Sequence, residues 1–343
     1  MKKSYALYAL LLLASCTAPA GEEGNKTSGK KVYVINNGTW GDSNSDIAVY
    51  DLKGKSALAG QFSSVNGQVP GDLIQDALRL GECLYLSVNG SKLVWVTDES
   101  LKIIDSIIVK KDENKLSPRY LCTDGENVYV SYYEGFLGRL GADGQTSLCG
   151  VGPNPEGVAY LDGKVYVANS GGYLYPEYCN TVSVVDAASF SEIKRIEVNT
   201  NPAAVKVCGG KVFVSSFGNY SDIGPAVDCI EPGSGKVSRL PYQSPSAIAT
   251  DGDELYVLCG GYDEQYNPLP GRIYHYDPAK GDRGLWNGGV EIDKAYSISC
   301  AADMVWVGSS DYKNNGDIYC FDKYGDLYDK FDSQGINPIL VIE

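Results

Sequence analysis

A strand-like triplet with an aromatic residue at its centre recurs seven times along the chain, and this recurrence limits the fold more than any other feature. The copies are Val32-Tyr33-Val34, Leu84-Tyr85-Leu86, Val128-Tyr129-Val130, Val165-Tyr166-Val167, Val212-Phe213-Val214, Leu255-Tyr256-Val257 and Val305-Trp306-Val307. Their central rings are 52, 44, 37, 47, 43 and 50 residues apart, and each interval has room for four short strands and their turns. A second landmark keeps step with the first. Pro118, Pro155, Pro202 and Pro245 each precede an aromatic centre by 11 residues, as does Ala295. Proline has no N–H to donate and sits well at the first residue of a strand, so each marks a strand entry. The second repeat departs from the rule, with Pro70 lying 15 residues before Tyr85.

A further strand follows several triplets, at 47–51, 93–97, 182–186, 273–277 and 318–322, often ending in Asp before a turn such as Asp51-Leu-Lys-Gly54 or Asp277-Pro-Ala-Lys-Gly281. That is hairpin chemistry. Helical periodicity is nearly absent. The pattern predicts an all-β chain, a seven-bladed β-propeller with four-stranded antiparallel blades over residues 31–343. A β-sandwich or a solenoid also has many short strands, but neither requires this sevenfold phase. Asn337-Pro338 opens a last strand with no aromatic triplet after it, while Val32-Tyr33-Val34 has no strand before it. Pairing the C-terminal strand with the N-terminal ones closes the ring and removes two exposed edges.

The first residues predict export. Lys2 and Lys3 precede an apolar run that ends in Leu13-Ala14-Ser15-Cys16, which reads as a lipoprotein signal peptide over 1–15 with Cys16 as the lipidated residue. Residues 16–30 are small and polar, as a flexible tether requires. The apolar run is too short to span a bilayer, so membrane contact is expected through the anchor alone. The formal net charge is −14, two units more negative once Lys2 and Lys3 leave with the leader. Nucleic acid as a partner is excluded on that ground, because its binding needs a basic footprint. Of ten cysteines, the nine beyond Cys16 are scattered singly without a Cys-x-x-Cys pair. They read as small core residues rather than a metal centre.

Strand parity locates a binding face. With four antiparallel strands per blade, the strand entries marked by proline and the loops after each aromatic triplet lie at the same end of the disc. Sites favour loops carried on a rigid scaffold. The loops after the triplets contain Trp40; Tyr132 and Tyr133; Asn169, Tyr173 and Tyr175; Phe217 and Tyr220; Tyr262 and Tyr266; and Asp311 with Tyr312. Rings beside amides and carboxylates make a half-apolar, half-polar surface suited to a planar or sugar-like ligand, and these twelve residues are the predicted ligand contacts. The loops are short at 87–92 and 131–135 and long at 35–46, 168–181 and 258–272, which predicts a lopsided rim.

Catalytic readings find little footing. His275, the one histidine, sits within a strand, and a nucleophile–base pair also needs a presented Ser or Cys. Glu134, Asp263, Glu264 and Asp311 are the acidic loop residues from which a metal site would have to be assembled. The stretch 311–317 has the look of a calcium loop, but the twelfth position, Asp322, lacks the bidentate Glu, so a loop Ca²⁺ is left open and no cofactor is predicted.

Asn154-Pro155 with Val165-Tyr-Val-Ala-Asn169, and Asn201-Pro202 with Val212-Phe-Val-Ser-Ser216, resemble the YncE-like family of exported seven-bladed propellers, and the likeness covers 31–343. Val32-Tyr-Val-Ile-Asn-Asn-Gly-Thr-Trp-Gly41 after a lipobox is similar to the Bacteroidetes surface lipoproteins of that family, and Glu22-Glu23 resembles their acidic export signal. Among these lipoproteins the chain resembles the BtuG cobalamin-binding group. The resemblance implies an outer-membrane, cell-surface protein that captures cobalamin or another corrinoid and passes it to a TonB-dependent transporter. A glycan- or protein-binding adhesion module is the alternative. A propeller resembling metal-dependent lactonases or lyases is a more remote one.

Overall fold

The computed structural model describes residues 30–141, 145–262 and 268–343, the side chains of Tyr262 and Pro268 excepted. Cys16, Asp263, Glu264 and Tyr266 lie outside the described residues. Seven antiparallel sheets of four strands each make up the body. Their innermost strands are Pro338–Ile342, Ile74–Leu80, Pro118–Thr123, Pro155–Leu161, Pro202–Cys208, Pro245–Thr250 and Ala295–Ala301. Each touches the next around a closed ring, the last meeting the first. The chain is a seven-bladed β-propeller.

Closure works as the sequence predicts. Blade 1 runs Ser56–Leu58, Asp46–Asp51, Lys31–Asn36, Pro338–Ile342 from rim to channel, so the C-terminal strand supplies its innermost member. The aromatic triplets fall on the second strand of every blade. Tyr33, Tyr129, Tyr166, Phe213, Tyr256 and Trp306 are buried there, and Tyr85 partly so. Their flanking Val, Leu and Ile residues build apolar clusters that bridge neighbouring blades, so the core is a ring of inter-blade seams rather than one central mass. A buried phenol needs a partner. Tyr129 donates to Asp124 at 2.8 Å and Tyr256 to Asp251 at 2.9 Å, each Asp lying in the turn that leads into the ring's own strand.

The proline landmark proves to be part of a larger device. The residue before the innermost strand has a positive φ of 46–59° in six blades: Leu73, Asn154, Asn201, Ser244, Lys294 and Asn337. A residue before proline avoids the right-handed helical region, and Asn tolerates the left-handed one, which accounts for the Asn-Pro pairs. Pro70 is outside this device. In blade 2 the strand starts at Ile74 with Leu73 in the left-handed position, which restores the 11-residue offset to Tyr85. Just inside each entry the ladder slips by one residue, for example between Pro118 and Leu121, Pro155 and Val158, and Ala295 and Ser297. Such bulges re-aim side chains at sheet ends.

The nine described cysteines are all unpaired, and Cys149, Cys208, Cys229, Cys259 and Cys320 are buried. Regular structure beyond the blades is slight: a helix Gln61–Asn66, a 3₁₀ turn Gly172–Leu174 and a small hairpin of Lys110–Lys111 with Asn114–Lys115.

Candidate functional site

Register fixes the face. Pro118 pairs with Tyr132, Pro155 with Asn169, Pro202 with Ser216 and Ala295 with Ser309, so strand entries and the loops after the triplets share the upper end of the disc. A cavity of about 530 Å³ opens there over blades 5 to 7. Phe217, Tyr220, Ile223, Leu269, Tyr296 and Tyr312 give it apolar walls, and Ser246, Lys294 and Ser310 are among its polar residues.

Local chemistry presents the rings. A side chain at Gly218, whose φ is +72°, would overlap the carbonyl of Ile223, so only glycine lets this loop fold back on itself. Asn219 then accepts from the N–H groups of Ser221 and Ile223 at 3.0 and 2.9 Å, leaving Tyr220 at the tip with a φ of 56°. In blade 7 Asp311 accepts from the N–H groups of Lys313 and Asn314 at 3.0 and 2.8 Å, with Tyr312 held at a φ of 64°. Backbone in sparsely populated regions concentrates at binding sites. Tyr296 sits in the blade 7 bulge and meets Tyr312 edge-on at 5.5 Å. Burial, then the proximity of Tyr312, pushes the Tyr296 hydroxyl up to about 12, with Arg119 acting in the opposite sense.

A row of rings continues from the cavity across blades 5, 4 and 3. Tyr220 and Tyr175 each meet Tyr178 edge-on at 5.9 Å, and Tyr173 meets Tyr133 at 4.7 Å. Of the predicted contacts, Phe217, Tyr220 and Tyr312 line the cavity, and Tyr133, Tyr173 and Tyr175 belong to the row. Trp40 is 69% exposed on the blade 1 loop and has no ring partner among the described residues. Tyr266 and the side chain of Tyr262 lie outside the described residues.

Two predicted contacts are corrected. Tyr132 is 1% exposed and packs in the seam between blades, because the second strand of blade 3 runs on through it to face Pro118. Asn169 is fully buried, and its amide donates to Thr181 and Ser183 at 3.1 and 2.9 Å. Asp311, outside the cavity lining, holds its own turn with its carboxylate, which also lies 3.8 Å from Lys294 of the cavity wall. The hydrogen bonds within the turn, first from the Asn314 N–H and side chain, hold it well below the usual carboxylate range.

Sequence reasoning missed Tyr178, Tyr296 and a polar cluster in the upper channel. Arg119 binds Glu156 through Nε and Nη2 at 2.7–2.9 Å, and its Nη1 donates to Gln75 at 2.7 Å. Gln75 donates in turn to Tyr120 at 3.1 Å. Arg119 and Glu156 keep 20% and 11% of their side-chain exposure, so both retain access to channel water. Each is the residue directly after a landmark proline, a position where a charged residue is a readable signal.

Deeper in the channel Asp76 accepts from the Leu121 N–H at 2.8 Å. Burial raises its pKa to about 6, with Lys206 only partly offsetting. A folded pKa above the unfolded value near 3.9 means that Asp76 adds stability below about pH 4 that is lost as pH rises through about 6. Asp76→Asn is therefore expected to stabilise the protein at pH 8, on the order of 1–2 kcal/mol after allowance for channel water. At pH 4 it should change little. Thermal melts at the two pH values check this, and a gain of equal size at both would contradict it.

Among the described residues no group of three or more His, Cys, Asp or Glu side chains is placed to hold a metal ion. His275 pairs through Nδ1 with Glu254 at 2.9 Å, and Glu254 lies in a turn at the lower end of blade 6. Glu134 accepts from the N–H and hydroxyl of Ser117 at 2.9 and 2.8 Å. No described helix is long and apolar enough to cross a membrane.

No family model matches the chain, and no curated protein matches it. Solved structures do. A protein from Lactobacillus plantarum is similar at a TM-score of 0.60 and 15% identity, over 91% of this chain and 98% of that one. Kuenenia stuttgartiensis hydrazine synthase matches at 0.59 and 17%, over 73% and 76%. The Neurospora crassa Pan2 WD40 domain matches at 0.55 and 10%, over 74% and 78%. At such identities the likeness is one of fold, and it places this chain among the β-propellers without assigning it an activity.

Proposed function

We propose that the chain is a ligand-capturing surface lipoprotein, anchored to the outer membrane through Cys16, that takes up a small ring-bearing molecule on its upper face and hands it unchanged to a TonB-dependent transporter. Cobalamin or another corrinoid is the first candidate, on the strength of the resemblance of 31–343 to the YncE-like and BtuG-type lipoproteins. The observation that carries the reading is the convergence of Phe217 and Tyr220 from blade 5 with Tyr296 and Tyr312 from blade 7 around one cavity of about 530 Å³. Rigid rings supply contact area at low entropic cost, and the volume is that of a small-molecule site.

The direction of the chain agrees. Lys30 enters blade 1 at the lower end, its ammonium 3.3 Å from Asp303 in the lower turn of blade 7. A tether that arrives on the lower side leaves the upper face clear. Exposed rings such as Tyr173 and Tyr175 also suit sugars, which makes a glycan the competing ligand.

Titration calorimetry with cyanocobalamin and with soluble oligosaccharides separates the two. Saturable heat is expected from cyanocobalamin at micromolar protein; a flat trace would remove the corrinoid reading. Tyr220→Ala and Tyr312→Ala are each expected to weaken binding about tenfold, with Trp40→Ala doing less. Unchanged affinity in the first two would displace the site from blades 5 to 7.

A further inference from the structure

The Arg119–Glu156 pair lies in the upper channel beside the ring row of blades 3 and 4. The Arg119 guanidinium lies 5.1 Å from the Tyr133 ring centre, beneath the Tyr133–Tyr173 pair. Neither ion lines the cavity itself, but the charges of both reach its rings. Tyr220 has its hydroxyl pKa raised chiefly by burial and Tyr178, with a smaller contribution from the Glu156 charge, while Arg119 bears on Tyr296. Both ions are delivered by bulges at the upper ends of inner strands, and Gln75 from a third blade pins the guanidinium.

An inward bulge that served packing alone would be filled more cheaply by apolar residues, since a buried ion pair is often no more stabilising than its hydrophobic replacement. The inventory of unused hydrogen-bonding capacity is specific. Arg119 spends Nε, Nη2 and one Nη1 hydrogen, leaving the second Nη1 hydrogen. Oε2 of Glu156 accepts two of these hydrogen bonds and Oε1 one, so among the described residues Oε1 keeps a free lone pair. One donor beside one acceptor, neutral in sum, complements a primary carboxamide: the amide oxygen accepts from Arg119 and its NH₂ donates to Glu156. A ligand carboxylate at the same place would meet Glu156 as a like charge.

Resting on the capture reading above, we infer that Arg119 and Glu156 form the specificity element of the upper-face site, selecting ring-bearing ligands with an uncharged carboxamide arm over those with a carboxylate. The test compares cyanocobalamin with the isomeric mono-acids obtained by mild hydrolysis of its side-chain amides, titrated into the full chain and into Glu156→Gln. The wild-type protein is expected to bind the parent about tenfold or more tightly than at least one mono-acid. In Glu156→Gln that ratio should fall to within about threefold, because the like charge is gone. A merely structural role would weaken both ligands by one factor and leave the ratio unchanged, which overturns the inference. Should the variant fail to fold, the wild-type comparison decides alone, and equal affinities for the parent and every mono-acid overturn it. Failure of the wild-type protein to bind any corrinoid would instead overturn the capture reading, and this inference with it.

Discussion

A chain that stops at Ile336 is expected to lose cooperative folding. The deletion removes Pro338–Ile342, the innermost strand of blade 1, and with it the seam between the two ends of the sequence. Val341 is 2% exposed, and Ile339, Leu340 and Ile342 pack against the cluster shared by blades 1 and 2. Hydrogen bonds across the seam go as well: Ser297 donates to the Pro338 carbonyl at 2.6 Å, Ser299 accepts from the Val341 N–H at 3.0 Å, and Asn337 donates to the Gly38 carbonyl at 2.9 Å. Val341 alone is worth about 1.5–3 kcal/mol and the three half-buried side chains add a part of that each, a large share of the net stability of about 5–15 kcal/mol that most domains possess. The cut also opens two strand edges to aggregation. Circular dichroism melts and gel filtration are the readout; a sharp transition within a few degrees of the full chain would contradict this.

Trp306→Ala should cost about 3–5 kcal/mol, read as a shift in the urea midpoint. Trp306 has no solvent exposure, donates from its indole N–H to the Ala301 carbonyl at 2.9 Å, and stands edge-on to Tyr50 at 5.8 Å. Tyr50 in turn stacks on Phe331 at 4.0 Å, so three rings from blades 1 and 7 share one seam. Trp306→Phe should cost much less, because Phe213 fills the equivalent position of blade 5 without a hydrogen bond. A small loss for Trp306→Ala would mean that the seam repacks.

Blade number, strand order and ring closure were legible in the sequence because they are properties of period. Seven aromatic triplets and the proline landmark repeat the same local physics, and closure follows from which strands lack partners. The positions of single side chains at the face were less legible, because they depend on where a strand stops. Tyr132 and Asn169 stand next to loop residues, but the ladder extends two residues beyond the triplet and buries both. Bulges work the other way. Arg119, Glu156 and Tyr296 follow a strand-entry landmark and read as ordinary strand residues, yet the slipped register brings them to the upper channel. Long loops do follow Asn36 and Asn169, but the one expected at 258–272 is mostly strand, which runs to Tyr262 and resumes at Pro268. The placement of the cavity over blades 5 to 7 came only from two loops, at 217–224 and 310–314, that line it together.

Hydrogen–deuterium exchange of the full chain with and without saturating cyanocobalamin tests the central claim most directly. The account predicts slowed exchange at 217–224, 260–261, 294–296 and 310–312, with the lower turns at 124–127 and 251–254 unchanged. No protection anywhere, or protection confined to the lower turns, would contradict it.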